Sequence, residues 1–475
     1  MERVSVDIIE KTKNIALVVL VFTTILLLYF LWGDSSLDDF NFLDENAPVK
    51  KLLAEDVIVP KEIIISMGNG NYTVGKDEFP EIISTFKKFS KQQNLLVDEI
   101  PKEKYQEVME YPSIRAVFNY NINFSGFCGR YGITQALGFN NISTLSELGF
   151  SKGRQDSVFI YDGASKKYFR IWCDSENNFT SFEDIASNTE NTTYYPLKIY
   201  LGEESTNETL IPIELPTSLK TVPFEQDFNV GEKEIINTFA QTFFGESLDF
   251  VRILEESNGT VIFMYGYGQK ILIISPDGSA EYKEEQKNID TNQVSFFDAL
   301  DTALSFVASH GGFKTVNGKE LKPYLTEVSS ISGEKNDFRF VFSFTVDGNK
   351  LYYPYKAPLT IEVTNGQVSY FRRNFIAVDE ESEKQTPQTE KQTAINMLAL
   401  NFENIKGILI SEKEQQKQIS FEQLANDIDG LYIGYYRPLT DREPKDLIPA
   451  WIVEIDGVRF FMDLYDGDWL GYSLE

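Results

Sequence analysis

The sequence predicts an α+β protein, with one N-terminal transmembrane helix followed by an ectodomain of antiparallel sheets that are each packed with helices. Three observations lead to this fold class. An uncharged apolar run near the N-terminus is long enough to cross a bilayer. Strand-like segments alternate apolar and polar residues and end at Asp-Gly or Asn-Gly, which favour β-hairpin turns. Two serine-capped helices precede such strands, which indicates a helix packed on a sheet.

The apolar run comprises residues 14–32, NIALVVLVFTTILLLYFLW, and carries no charged side chain. As a helix rising 1.5 Å per residue it would span about 28 Å, close to the roughly 30 Å hydrocarbon core of a bilayer. Cleavage as a signal peptide is the alternative, but the run ends at Tyr29, Phe30 and Trp32 and not at small residues. Aromatic residues are typical of the membrane interface, so we expect an uncleaved anchor.

The charges beside this segment predict its orientation. Arg3, Lys11 and Lys13 precede it, whereas four aspartates and no basic residue follow it before Lys50. Basic residues favour the cytoplasmic side, so we expect a single-pass protein of the cell membrane with a cytoplasmic N-terminus and an extracellular C-terminal part.

Composition excludes one class of partner for the exported part. The chain has 44 Lys and Arg against 72 Asp and Glu, a formal net charge of -28. Such a surface repels the phosphates of DNA and RNA, so nucleic-acid binding is not expected.

The two cysteines, Cys128 and Cys173, are few for a eukaryotic ectodomain of this size and fit a bacterial envelope protein better. A disulfide between them is one option, and their spacing alone does not decide it.

Changes in composition divide the chain into segments. The segment DEESEKQTPQTEKQ is charged and almost without apolar residues, which is typical of a linker. The predicted order is a cytoplasmic N-terminus (1–13), the transmembrane helix (14–32), a stalk (33–48), an N-terminal ectodomain (49–220), a middle α+β domain (221–378), a linker (379–392) and a C-terminal α+β domain (393–475).

A weak internal repeat connects the middle and C-terminal domains. Ser295 and Ser420 each open a helix, with Asp298 and Gln423 three residues later, as in a capping box. Strands follow each helix, and FRFVFSFTVDG (338–348) places its phenylalanines on one face. AWIVEIDG repeats the TVDG ending as VEIDG, so we predict a helix and an antiparallel meander twice.

The only histidine, His310, lies in SHGGF, where an amphipathic helix ends at two glycines. Glycine supplies the left-handed residue that terminates helices, and a polar or cationic side chain there interacts favourably with the helix dipole. A lone histidine also offers no second imidazole for zinc. We therefore interpret His310 as a helix-terminal residue and not as a catalytic base or metal ligand.

The other motifs also favour structural roles. MYGYGQK (264–270) is flanked by strands and lacks the features of a phosphate-binding loop, so it predicts a hairpin turn. Asp463, Asp466 and Asp468 lie in DLYDGDW without the order of a calcium loop and predict a solvated turn. Cys128 has no histidine nearby in the sequence to activate it. We expect no catalytic, cofactor or metal residues, although a pair of carboxylates acting on glycosides stays open.

Several segments together resemble the YycH and YycI regulators of Gram-positive bacteria. They are the short basic N-terminus, the single apolar span, VIVPKEIIISMGNGNYTV, TFFGESLDFVR, SHGGF, APLTIEVTNGQVSYFRR and IPAWIVEIDGVRFFMDLYDG. The resemblance extends over nearly the whole chain, although its motifs are features of a fold and not of a diagnostic site. It implies a non-enzymatic membrane-anchored protein that contacts a sensor histidine kinase and a related single-pass regulator, and thereby tunes two-component control of the cell wall.

If such a partner is bound in the membrane, small residues would allow close helix packing. Ala16 and Thr23 are seven positions apart and share a helix face, with Thr24 adjacent. We predict this face as the transmembrane contact. An envelope module that binds peptide or glycan, and a carboxylate-based cell-wall hydrolase, are the alternatives. The sign of regulation and the oligomeric state are open.

Overall fold

The computed structural model describes residues 52–173, 192–202, 205–215, 219–286, 294–316, 318–331, 337–378, 392–413, 419–438 and 446–474. Within these ranges, no helix is long and apolar enough to cross a membrane. The predicted transmembrane helix 14–32 and the stalk 33–48 lie outside the described residues, as does nearly all of the predicted linker.

The described part is a mixed α+β structure, as predicted. Its helices are α1 (Ala54–Val57), α2 (Phe79–Phe89), α3 (Lys102–Glu110), α4 (Phe124–Tyr131), α5 (Lys198–Leu201), α6 (Lys233–Phe244), α7 (Phe296–Ser309), α8 (Ala394–Lys413) and α9 (Phe421–Asn426).

Nine strands form an N-terminal sheet in the order β3-β7-β6-β5-β4-β1-β2-β8-β9, with antiparallel neighbours throughout. The strands are β1 (Glu62–Gly68), β2 (Asn71–Gly75), β3 (Leu96–Ile100), β4 (Ser113–Asn123), β5 (Thr144–Ser151), β6 (Ser157–Asp162), β7 (Lys167–Trp172), β8 (Tyr194–Pro196) and β9 (Leu210–Pro212). Helix α2 begins with Pro80 in its first turn, where the missing N–H costs no helical bond. It buries Ile82, Phe86 and Phe89 at helical spacing.

The second sheet contains fifteen of the described strands. Its main path is β11-β12-β13-β14-β19-β18-β16-β17-β21-β22-β10-β20, to which β15, β23 and β24 are attached. The strands are β10 (Val222–Gln226), β11 (Arg252–Glu255), β12 (Val261–Tyr265), β13 (Lys270–Ile274), β14 (Ala280–Glu284), β15 (Pro323–Ser330), β16 (Asp337–Val346), β17 (Asn349–Tyr352), β18 (Leu359–Thr364), β19 (Gln367–Arg373), β20 (Ile376–Val378), β21 (Ile428–Tyr436), β22 (Asp446–Ile455), β23 (Val458–Asp463) and β24 (Trp469–Leu474).

One pairing in this second sheet departs from the predicted antiparallel arrangement. Strands β17 and β21 run parallel, with Leu351 opposite Tyr435 and Tyr352 opposite Tyr436. The pair connects strands on either side of the predicted linker, so one sheet extends through residues assigned to both the middle and the C-terminal domain. The domain boundaries themselves stay a prediction.

Helix-plus-meander units recur in this sheet. Helix α6 precedes β11–β14, α7 precedes β15–β19, and α9 precedes β21–β24. The predicted caps of the last two helices are confirmed: the Ser295 and Ser420 hydroxyls accept from the backbone N–H groups of Asp298 and Gln423, each at 3.2 Å. Both α6 and the long α8 were missing from the sequence interpretation.

The hairpin turns have the backbone geometry that their sequences predict. Asn365 and Gly366 have φ of +52° and +76°, and Asp456 and Gly457 have φ of +55° and +74°. Paired positive φ values are those of the type I′ turn, which suits the twist of the flanking strands. The strand β16 is likewise confirmed, since its phenylalanines at 340, 342 and 344 are all buried.

Polar contacts dock the N-terminal sheet onto the second sheet. The buried Asn207 side chain donates to the carbonyl oxygens of Ala425 and Ile428, each at 2.9 Å. Farther along the interface, Arg130 of α4 pairs with Asp301 of α7. Because a buried polar group is costly without its partner, these contacts fix how the two sheets meet.

Candidate functional site

A cleft of about 740 Å³ lies where the N-terminal sheet meets the second sheet. Its floor comprises the start of β1, the strand β17 and the middle of β21, and its walls include residues 313–314, residues 320–324 and the end of β2. Small-molecule sites typically enclose about 300 to 1,000 Å³ and often lie between domains. The cleft is therefore the candidate functional site.

The parallel pairing of β17 and β21 creates this floor. The Asp347-Gly348 turn, with φ of +48° and +73°, reverses the chain after β16 and brings Lys350 opposite Thr345. On β21, Gly434 permits the close approach, because a Cβ there would lie 2.6 Å from the Lys350 carbonyl oxygen. Glycine at this position thus places the Lys350 side chain at the cleft.

A cluster of charged side chains, here called the inner cluster, connects Lys61, Glu62 and Lys350 of the cleft lining with the adjacent Glu454 and Arg459. Glu454 of β22 accepts from Lys61 at 2.9 Å and from Arg459 at 2.9 and 2.7 Å. Burial opposes ionisation of Glu454, but the two neighbouring cations outweigh it and hold the pKa of this carboxyl below its ordinary value. Glu454 is therefore an ionised carboxylate that holds two cations in place.

Lys350 is the cation of this cluster that lacks a carboxylate partner. Its Nζ donates to the Lys61 carbonyl oxygen, and no described carboxylate lies within ion-pair distance of it. Burial lowers the pKa of Lys350 to about 8, although the carboxylate of Glu62 favours the charged form. The pKa of Glu62 is in turn raised by burial, against the influence of Lys61 and Lys350. The cleft thus contains a desolvated ammonium that has a carboxylate nearby but no direct ion pair.

Tyrosine rings form much of the wall beside these cations. The Lys350 Nζ lies 5.4 Å from the ring centroid of Tyr324, and the Lys61 Nζ lies 5.0 Å from that of Tyr432. Attraction between a cation and a ring face contributes about 0.5 to 2 kcal/mol, depending on desolvation. Burial raises the pKa of both phenols, so they are protonated at neutral pH. The walls therefore offer ring faces and hydroxyl groups to a ligand.

The lining is more basic than the chain as a whole. Five lysines line the cleft against four acidic residues, whereas acidic residues outnumber basic ones by 72 to 44 in the whole chain. Within the described ranges, no group of three or more His, Cys, Asp or Glu side chains is placed to hold a metal ion. This combination of ammonium groups and aromatic walls is suited to binding a small anion with an apolar body.

The interpretation of His310 as a helix-terminal residue is confirmed. It follows α7 directly, and Gly311 and Gly312 have φ of +96° and +66°. Its Nδ1 lies 2.6 Å from the Phe306 carbonyl oxygen. The centroid of its ring lies 3.9 Å from that of the Phe306 ring, on which it stacks, and 4.2 Å from that of Phe243. Burial lowers the pKa of His310 to about 4, so the ring is neutral at pH 7 and does not act as the cation that the dipole argument allowed.

Both turn motifs form turns as predicted, although the second is only partly solvated, because Leu464 and Tyr465 between its aspartates are buried. Residues 266–268 form a short 3₁₀ turn between β12 and β13, with Tyr267 fully exposed at φ +57°. Asp463, Asp466 and Asp468 lie at the turn between β23 and β24. There, Asp463 accepts from the Tyr465 N–H at 2.7 Å and Asp466 from the Asp468 N–H at 3.1 Å. Their carboxylates thus organise the turn backbone.

Both cysteines are buried, Cys128 on α4 and Cys173 just after β7, and they do not form the disulfide that the sequence left open. Burial raises the pKa of Cys128 to about 12, which disfavours the reactive thiolate. The predicted transmembrane contact residues Ala16, Thr23 and Thr24 lie outside the described residues, so that face stays a prediction.

Sequence reasoning missed the cleft and its inner cluster. Lys61, Lys350 and Glu454 are 104 to 393 positions apart in the chain, and no local motif connects them. Lys61 does lie in the segment VIVPKEIIISM, which carried part of the family resemblance. The available signal was a lysine beside an apolar strand, and that pattern alone does not indicate a shared site.

Comparison with known proteins gives one family match. The family model described as YycH protein, N-terminal domain, matches residues 10–142. No curated protein sequence matches the chain.

Solved structures extend the likeness beyond this segment. The crystal structure of YycH from Bacillus subtilis aligns with a TM-score of 0.54 and 11% identity, covering 86% of this chain and 97% of that chain. An uncharacterized protein from Eubacterium rectale aligns at 0.33 with 13% identity over 57% of this chain and 97% of its own. The Bacillus megaterium YpeB C-terminal domain aligns at 0.24 with 11% identity over 51% of this chain and 97% of its own. The latter two scores are too low to indicate a shared fold.

The family match covers the N-terminal segment, and the fold shared with the Bacillus subtilis protein covers most of the rest. The N-terminal segment is thus similar to the YycH family, and most of the chain is similar in fold to the Bacillus subtilis protein.

Proposed function

We propose that the chain is a non-enzymatic, single-pass membrane protein whose extracytoplasmic part regulates a sensor histidine kinase by protein–protein contacts. The regulated pathway is two-component signalling in cell-wall homeostasis of a Gram-positive bacterium. The observation that supports this proposal is the YycH N-terminal match over residues 10–142, which includes the apolar segment 14–32 and the strands β1 to β4.

Glu454 beside the cleft is kept ionised by Lys61 and Arg459, so it holds these cations in place and does not donate a proton. A regulator needs only a coupling free energy between its own state and that of its partner, typically about 1 to 3 kcal/mol. The two-sheet ectodomain offers a large surface for such contacts.

In this proposal, the membrane segment and the ectodomain both contact the partners. The partners are the kinase and a related single-pass regulator, and the face of Ala16, Thr23 and Thr24 packs against a transmembrane helix. Packing, and not hydrophobic burial, drives association within lipid, so loss of small residues weakens it. The C-terminal part lies outside the cell.

The decisive experiment is co-purification of the kinase with the full-length chain from membranes. Replacing residues 14–32 by an unrelated membrane helix should abolish the complex, and Ala16→Leu with Thr23→Leu should weaken it. Val18→Leu with Ile25→Leu, on the opposite helix face, is the matched control and should retain the kinase. Kinase recovery that is unchanged by the replaced helix contradicts a membrane contact.

Two further measurements test topology and enzymatic activity. An epitope placed after Glu475 should react with antibody on intact cells, and a signal only after lysis contradicts the proposed orientation. Incubation with purified cell wall should release no soluble fragments, whereas release of sugars would support the hydrolase alternative.

A further inference from the structure

The inner cluster of the cleft carries an excess positive charge. Its three cations are Lys61, Lys350 and Arg459, and its two carboxylates are Glu62 and Glu454. Glu454 is engaged by Lys61 and Arg459, as described above, and Glu62 acts on Lys350 without forming an ion pair with it, so Lys350 is the cation of the cluster that has no direct carboxylate partner. A buried ammonium without a direct ion pair is unfavourable, and an anion that enters the cleft and pairs with it relieves this cost.

The size of this excess indicates the kind of anion. A single unpaired ammonium matches one negative charge, whereas a phosphate dianion would leave a second charge uncompensated in a largely buried place. Bidentate arginine forks are the usual partners of phosphate, but no arginine lines the cleft in the described residues, and the adjacent Arg459 already uses its Nε and Nη2 atoms on Glu454. A monoanionic carboxylate therefore suits the cleft better than a phosphate.

The walls indicate what the rest of the ligand is like. Tyr324 is nearly fully buried and exposes little of its ring, whereas Tyr352 and Tyr432 are partly buried and can form apolar walls close to the cations. Their protonated hydroxyls can donate hydrogen bonds to a polar group of the ligand. A volume of about 740 Å³ accommodates a molecule the size of a short peptide.

We propose that this cleft is a binding site for a small monocarboxylic acid with an apolar body, such as a peptide with a free C-terminus, whose carboxylate pairs with Lys350. The kinase partner is not required for this binding. Because the lining comes from both sheets, the bound acid contacts both and favours the arrangement in which they form the cleft.

Calorimetric titration of the full-length chain in detergent micelles tests the proposal. The probes are N-acetyl-alanyl-phenylalanine, the same dipeptide with a C-terminal amide, 3-phenylpropionate and inorganic phosphate. We expect saturable binding of the dipeptide acid and none of the amide. Equal binding of phenylpropionate identifies organic carboxylates in general as the ligand class, and weaker binding identifies peptide termini. Failure of both acids to bind, or tighter binding of phosphate, overturns the proposal.

Variants locate the binding at Lys350. Lys350→Met should weaken binding of the dipeptide acid roughly tenfold to hundredfold, as expected for loss of a charge-assisted hydrogen bond. Lys283→Met, at an exposed ion pair with Glu281 outside the cleft, should leave the affinity unchanged. Circular dichroism verifies folding of each variant. An unchanged affinity in folded Lys350→Met refutes the assignment.

A pH titration of the wild-type chain gives the same test without a substitution. The groups facing Lys350 are Lys61 and Glu62 at β1, Glu454 on β22 and Tyr324 on β15. Since burial lowers the pKa of Lys350 to about 8, affinity for the acid should fall as the pH rises from about 7 to about 9. An affinity that stays constant over this range contradicts a role for the Lys350 ammonium.

Discussion

The buried ion pair between Arg373 of β19 and Asp227 should be the most sensitive polar contact of the described structure. Both side chains are 0% exposed. The guanidinium also donates to the Lys314 carbonyl oxygen at 2.9 Å and lies 4.1 Å from the ring centroid of Phe375. Asp227 accepts from the Val316 N–H at 2.6 Å. Arg373→Met removes the cation and leaves the carboxyl group of Asp227 without its guanidinium partner in a site that water does not reach.

Removing one partner of such a pair typically costs about 3 to 5 kcal/mol, because the other charge stays buried without compensation. We therefore expect Arg373→Met to lower the free energy of unfolding by about that amount. The matched control is Lys233→Met, which breaks the Lys233–Glu255 pair of 2.6 Å. There the two side chains are 69% and 56% exposed, and exposed pairs contribute about 0 to 1 kcal/mol.

The assay is equilibrium urea unfolding of the full chain in micelles, followed by tryptophan fluorescence, with wild type and both variants measured in parallel. If Arg373→Met loses no more stability than Lys233→Met, burial does not determine the strength of these pairs and the reasoning is wrong. The comparison is informative because both substitutions replace a cation by methionine.

Three further substitutions have expected effects on the same unfolding measurement. Gly434→Ala should destabilise the chain by about 1 to 3 kcal/mol, because its Cβ would lie 2.6 Å from a carbonyl oxygen of β17. At Gly407 no heavy atom lies within 4 Å of the added Cβ, so Gly407→Ala should be neutral or stabilising by up to about 1 kcal/mol. Equal changes in stability for the two glycine variants would contradict the steric argument. His310→Phe keeps the ring stack but cannot be protonated. The folded-state pKa of His310 is lowered, so wild type should lose stability relative to this variant as pH falls from about 6.5 to about 4, by up to about 3 kcal/mol; a constant difference would refute that pKa. Ser420→Ala should cost about 1 kcal/mol by removing the cap of α9, whereas the exposed Ser411→Ala should change stability by less than about 0.5 kcal/mol. Equal losses in the two serine variants would argue against the cap.

Structural features that depend on residues close together in the sequence could be predicted from it. The caps at Ser295 and Ser420, the helix end at His310 and the Asn-Gly and Asp-Gly turns all have short-range causes, and the structure confirms each. The long helix α8 was missed, although it is also local. Its buried residues include Met397, Leu398 and Ile405, but Leu400 is 64% exposed, so no clean apolar face marks it in the sequence.

Tertiary features could not be read in the same way. The parallel pairing of β17 with β21 joins residues more than eighty positions apart, and neither strand carries a signal for its partner. The charge cluster depends on that pairing, since it places Lys350 beside Lys61. Contacts between distant segments depend on the whole fold, which explains why the turns were predicted and the cleft was not.

The position of the cleft gives a physical route from ligand to partner, if the two proposals both hold. A ligand changes the conformational equilibrium only when it binds one state better than another. Any shift between the two sheets would separate Lys61 from Glu454 and reshape the lining, so affinity for the acid must differ between arrangements. A ligand at a hundredfold its Kd stabilises the competent state by about 2.7 kcal/mol, which lies within the roughly 1 to 3 kcal/mol of typical allosteric coupling. Occupancy of the cleft would then be sufficient to alter a contact elsewhere on the ectodomain without any catalytic step.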